Sequence, residues 1–90
     1  GFKEKKRFVR SYDTVVFMEC DGITLEIFID SNHPERVEGS ELNGLRHVAF
    51  TVEKIENLDV EIGTIREDFF GRRFTFTKDL DGQPIELKER

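Results

Sequence analysis

The sequence predicts a β-sheet protein built from two copies of a three-strand meander, and three observations predict it. Apolar and polar residues alternate with period two along most of the 90 residues, which is the strand signal. Asp21-Gly22 and Asp81-Gly82 are hairpin signals, because glycine takes the positive φ that tight turns require. Asp21-Gly22-Ile23-Thr24-Leu25-Glu26-Ile27 also matches Asp81-Gly82-Gln83-Pro84-Ile85-Glu86-Leu87 as D-G-x-x-(L/I)-E-(I/L), 60 positions further on.

The elements follow in order. Phe2 to Ser11 is charged and extended, and Tyr12 to Glu19 is rich in β-branched and aromatic residues. Ile23 to Asp30 follows the first hairpin signal. A polar loop over 31–44, punctuated by Pro34, Gly39 and Gly44, leads to an alternating strand from Leu45 to Val52. Val60 to Arg66, Arg73 to Lys78 and Pro84 to Lys88 complete the second copy. At the 60-residue offset Val16-Phe17 falls on Phe76-Thr77. The segment EKIENLD between Val52 and Val60 is shorter than the dozen or so residues that a crossover to a parallel strand needs. A helix lost or shortened there, or a stretch absent from the sequence, is the expectation. The counterpart of the His-bearing strand, Leu45 to Val52, would fall before Gly1, so the chain is expected to start inside a module.

Composition narrows the classes of function. A net charge of −5 argues against broad nucleic-acid binding, which needs clustered cations; Lys3, Lys5, Lys6, Arg7 and Arg10 read as an exposed strand edge. One cysteine, Cys20, forms no internal disulfide and points to a reducing compartment, hence the cytoplasm. No apolar run approaches the ~20 residues of a membrane span. The uncovered sheet edges of so short a chain predict a homodimer.

Strand parity places the chemistry-bearing residues. Glu26 shares a face with Thr24 and Phe28, opposite Leu25, Ile27 and Ile29. His47 lies with Leu45, Ala49 and Thr51, opposite Val48, Phe50 and Val52, and Glu86 faces away from Ile85 and Leu87. One reading is a solvated sheet face carrying an ordinary histidine. The other is a shared pocket in which one His and two Glu bind a divalent ion (Zn, Ni, Mn, Fe or Co). The equivalence of the two Glu in the repeat favours the second. Thr51, Thr75 and Arg73 are substrate-contact candidates of expected inward parity, with Arg72 an alternative to Arg73 for an anionic group. His33 reads as a surface-loop histidine, and Phe69-Phe70 as core packing between strands.

HVAF at 47–50, LEIF at 25–28 and FTFTKDLDGQPIEL at 74–87 resemble the vicinal oxygen chelate superfamily, which includes glyoxalase I, extradiol dioxygenases and bleomycin-binding proteins. The resemblance implies an α+β fold of paired βαβββ modules curled around a metal. Here the first strand and helix are absent and the second helix is missing or shortened. Residues 1–30 would be the last three strands of one module, 31–44 a linker and 45–90 the second module of a single domain. It further implies Glu26, His47 and Glu86 as three of four metal ligands, with Glu26 or Glu86 as catalytic base. The implied activity is a metal-dependent lyase or isomerase of the lactoylglutathione lyase kind, acting on a small oxygen-chelating substrate. An extradiol-type dioxygenase and a metal-free module binding a small molecule or antibiotic are the alternatives.

Overall fold

The structure is a computed structural model that describes residues 1–39 and 41–90; Ser40, within the expected linker, lies outside the described residues. The chain divides into two compact units, Gly1–Pro34 and Glu35–Arg90, and the division falls within the loop over 31–44.

The first unit is an antiparallel meander of β1 (Lys3–Val9), β2 (Thr14–Cys20) and β3 (Ile23–Ile29), in that spatial order. β2 begins later than the expected Tyr12 because Arg10 and Asp13 close a turn between the strands. The Arg10 N–H donates to the Asp13 carbonyl at 2.8 Å, and its guanidinium grips the Asp13 carboxylate at 2.5 and 2.6 Å. Asp21 and Gly22 both take positive φ, 49° and 79°, as a two-residue hairpin turn requires. The central strand carries the buried Val15 and Val16. Phe17 pairs with Glu26 and Val15 with Phe28, so these share one face; Val16 pairs with Ile27 and Met18 with Leu25 on the other.

The second unit is a four-stranded sheet in the order β4 (Val48–Val52), β7 (Pro84–Glu89), β6 (Arg73–Lys78), β5 (Arg66–Glu67). β4 runs parallel to β7 and the other pairs are antiparallel. Two expected strands are shorter than the alternation suggested. β4 starts at Val48 rather than Leu45, because its parallel partner begins at Pro84, which has no N–H to extend the ladder. The expected strand from Val60 to Arg66 reduces to the pair Arg66–Glu67. Its earlier part is tied to β6 mainly through side chains: Thr75 Oγ1 donates to the Thr64 carbonyl at 3.1 Å and Thr77 Oγ1 to that of Glu61 at 2.6 Å, while the Gly63 N–H reaches the Phe76 carbonyl at 2.9 Å.

The connection from β4 to β5 runs over 53–65, about what a parallel connection needs. It contains a single 3-10 turn, Ile55–Asn57, and no α-helix occurs among the described residues. Among the described residues no helix is long and apolar enough to cross a membrane.

One template builds the two hairpins of this unit. Asp68 Oδ1 accepts the Phe70 and Arg72 N–H groups at 2.8 and 3.0 Å, and the Gly71 N–H returns to the Asp68 carbonyl at 3.1 Å. Asp79 does the same with the Asp81, Gln83 and Gly82 N–H groups, at 2.9, 2.8 and 3.1 Å. An Asx carboxylate two and four residues ahead of its donors, followed by a glycine at positive φ, fixes the D-x-x-G-x turn. Phe69 and Phe70 sit at the tip of the first turn and are exposed, so the expectation that they pack a core is overturned.

The Arg72 N–H, outweighing the partial burial of the carboxyl, and then the Phe70 N–H hold Asp68 below the usual aspartate range. A depressed carboxylate stabilises the fold above its unfolded value and loses that contribution as pH falls through the folded one. The β5–β6 hairpin is therefore expected to loosen only below about pH 4. Amide exchange at Phe70 and Arg72 should accelerate there, beyond its intrinsic pH dependence; protection unchanged down to about pH 2 would contradict it.

Candidate metal centre

The site is built from the register of β4, β7 and β6. Ala49 pairs with Glu86 across the parallel ladder, and Phe76 pairs with Glu86 across the antiparallel one. Residues in register share a face, so Ala49, Glu86 and Phe76 lie together. His47, two positions before Ala49, falls on that face just outside the start of β4.

The side chains confirm this placement. His47 Nε2 lies 3.2 Å from Glu86 Oε2, with the carboxylate side chain 14% and the imidazole 33% exposed. The His47 ring stands edge-on to Phe76, centroids 5.1 Å apart at 89°. Phe76 in turn packs edge-to-face on Phe74, at 6.2 Å. An aromatic wall thus limits how the imidazole can rotate and keeps water from one side of the pair. Gln83 lies beside the base of the site, its amide nitrogen 3.1 Å from the Pro84 carbonyl and 3.5 Å from that of Arg46.

The donor set suits a divalent ion. An imidazole nitrogen and a carboxylate oxygen converge, and two ligands sharing an ion at bonds of about 2.0–2.2 Å stand about 3 Å apart. The observed 3.2 Å separation fits that arrangement as well as a direct hydrogen bond. Among the described residues no group of three or more His, Cys, Asp or Glu gathers around one point. The structure therefore brings together two of the three expected ligands within one unit.

Glu26 belongs to the first unit, on β3, in register with Phe17 of β2. It is exposed, like the rest of β3, and what it shares with Glu86 is the register partner, since Phe76 holds that place for Glu86 on the preceding strand. This refines the repeat. Glu26 and Glu86 are 60 positions apart, but their aromatic partners Phe17 and Phe76 are 59 apart, because the turn after Lys78 is longer than Asp21-Gly22. The upstream strands correspond one residue away from the alignment that the 60-residue offset suggested.

The three substrate-contact candidates separate. Thr51 pairs with Lys88 and so shares the Glu86 face, where it is exposed. Thr75 pairs with Leu87, and Thr75 and Arg73 therefore lie on the opposite face; the expected inward parity of both is corrected by the register. Thr75 is fully buried and spends its hydroxyl on the Thr64 carbonyl. Arg73 binds the Glu89 carboxylate at 3.0 and 3.2 Å and forms a close pair with Glu56. Those two carboxylates, Glu56 foremost, raise the Arg73 pKa above its ordinary value. Arg73 joins the 3-10 turn to β7 instead of facing the site. Arg72 and His33 are exposed, His33 with its Nε2 3.5 Å from Asp30.

Phe74, Phe76 and Lys88 lie on the site face and were not among the residues expected there. Lys88, two positions beyond Glu86, lies 3.8 Å from Asp68 Oδ2, an otherwise unpartnered buried oxygen. Its signal was parity with Glu86.

No family model matches the chain. It is 42% identical to the uncharacterized protein YaeR of Escherichia coli (strain K12), over 73% of this chain and 57% of that protein. The chain thus spans little more than half the length of that curated relative. The solved structure of a glyoxalase family protein from Enterococcus faecalis is 36% identical and superposes with a TM-score of 0.87, over 99% of this chain and 79% of that one. A lactoylglutathione lyase from Agrobacterium tumefaciens, 18% identical, shares the fold with a TM-score of 0.59 over 98% of this chain and 75% of its own.

Proposed function

Since the chain belongs to the glyoxalase family and has the vicinal oxygen chelate fold, we propose that it is a divalent-metal-dependent lyase or isomerase acting on a small molecule with two adjacent oxygens. The observation that carries the proposal is the convergence of His47 Nε2 and Glu86 Oε2 at 3.2 Å against the edge of Phe76. In this reading His47, Glu86 and the repeat-equivalent Glu26 hold the ion. A bound divalent ion supplies Lewis acidity toward substrate oxygens.

The chain's own groups do the rest. His47 offers the Nε2 lone pair as a ligand, its ring kept in place by Phe76. Glu86 or Glu26 accepts a proton from substrate carbon as general base and returns it to the neighbouring carbon. Phe74 and Phe76 keep water from the proton in transit. A cytoplasmic homodimer acting on a small molecule, with neither nucleic acid nor membrane as partner, completes the proposal.

Equilibrium dialysis against Ni²⁺, Mn²⁺, Fe²⁺, Co²⁺ and Zn²⁺ in turn is the test. Saturable, stoichiometric uptake of at least one ion is expected; no uptake of any would remove the metal from the reading and leave a small-molecule-binding module.

A further inference from the structure

A second feature lies on the Glu26 face of the first sheet, at the edge strand β1. β1 pairs with β2 in regular steps except between Glu4 and Lys6, where Lys5 is an extra residue: Glu4 is opposite Met18 and Lys6 is opposite Phe17. In a regular strand consecutive side chains point to opposite faces. A bulge breaks that rule and re-aims the side chains beside it. Here Lys5 and Lys6 both line one open cleft of about 420 Å³, together with Phe8, Phe17, Glu19 and Thr24.

The chemistry of the lining is specific. Phe8 and Phe17 meet edge-to-face at 6.1 Å and form an apolar floor. Lys6 Nζ lies 5.7 Å over the Phe8 ring and, among the described residues, has no carboxylate partner. Lys5 stands 3.9 Å from Glu19. Two ammonium groups against one carboxylate leave the cleft cationic, in a chain whose net charge is −5. Lysines and a bulge both protect a strand edge, but that protection needs no aromatic floor beneath the ammonium groups. The cleft also adjoins Glu26 within the first sheet, since Phe17 is the register partner of Glu26 and Thr24 is two positions from it on the same face.

We propose that this cleft is the subsite for the body of the substrate, and that it selects a small organic anion with an apolar, aromatic-compatible body, whose charge Lys6 holds. The inference rests on the proposed function for Glu26 being part of the reacting centre. The cleft itself can be tested without metal.

The 90-residue chain, in buffer containing a chelator, is titrated with 4-phenylbutyrate and with the neutral 4-phenyl-1-butanol, and amide shifts are followed by NMR. Saturable shifts are expected at Lys5, Lys6, Phe8, Phe17 and Thr24. The acid should bind about three- to fivefold more tightly than the alcohol, the size expected of one solvent-exposed charge contact. Lys6→Glu, or Lys6→Gln should the charge reversal perturb the amide spectrum, should remove that preference. Equal affinities for acid and alcohol in the unsubstituted chain, or shifts confined to Ile23, Leu25 and Ile27 on the other face, would overturn the proposal. Metal uptake separates the two ideas. An intact carboxylate preference without metal binding leaves the cleft and removes the metal; metal binding without the preference does the reverse.

Discussion

Replacing His47 by Ala, or Glu86 by Gln, is expected to lower divalent-ion affinity by more than about 100-fold while leaving the fold intact. Altering a group that merely orients a metal ligand typically costs 10- to 100-fold, so removing a ligand should exceed that range. Both side chains lie on the open face of the sheet, partly exposed, and neither holds a strand in place. Their loss leaves the ladders of β4, β6 and β7 unbroken. The Glu86→Gln exchange is the sharper of the two, since it preserves volume and a possible hydrogen bond to His47 while removing the charge that an ion requires. Isothermal titration with Mn²⁺ or Ni²⁺ measures the loss. A Glu86→Gln variant binding as tightly as the unsubstituted chain would show that the 3.2 Å contact is only a hydrogen bond.

Glu26→Gln gives the complementary comparison. If the repeat is functional, its effect on ion affinity should match that of Glu86→Gln, because the two carboxylates have equivalent register partners, Phe17 and Phe76. An unchanged affinity would confine the ion to the second unit.

The sequence was informative where period two governs. β3, β6 and β7 fall within a residue of their expected bounds, because each alternates cleanly and is delimited by Asp-Gly turns with positive φ. The faces of Glu26, His47 and Glu86 were legible for the same reason. It was less informative where pairing, not pattern, decides. Val60 to Arg66 has the composition of a strand, but only its end finds a backbone ladder; the rest is tied down largely by the hydroxyls of Thr75 and Thr77. Those same hydroxyls explain why Thr75 is no site residue. Arg73 was misplaced for a related reason, since parity within one strand does not fix which neighbour's face it matches. That takes the β6–β7 register, which an extra-long turn shifts by one residue relative to the first copy. The bulge at Lys5 left no local signal, as it lies in a run of charges with no alternation to break.

Ile55→Ala is expected to have the largest effect on stability. The 3-10 turn is too short to be stable by itself, and Ile55, fully buried, is what it contributes to the second unit. The turn is held to β7 by the Ile55 N–H donating to Glu89 Oε2 at 2.9 Å, and by Arg73 bridging Glu89 and Glu56. Truncating a buried Ile to Ala removes transfer free energy and leaves a cavity, together about 2–5 kcal/mol. A unit of this size has little stability to spare, so much of the second unit should be unfolded in the variant at room temperature. Urea denaturation should show a lower midpoint at unchanged m-value, and a loss below about 0.5 kcal/mol would contradict the packing role. Glu89→Gln separates burial from tethering, since it keeps an oxygen for the Ile55 N–H and removes only the charge facing Arg73; a smaller loss is expected. The result also bears on the metal. Ile55 lies outside the His47–Glu86 pair, so the folded fraction of Ile55→Ala should still take up the ion, and added ion should raise its denaturation midpoint by linkage. The same addition should leave the midpoint of His47→Ala unmoved.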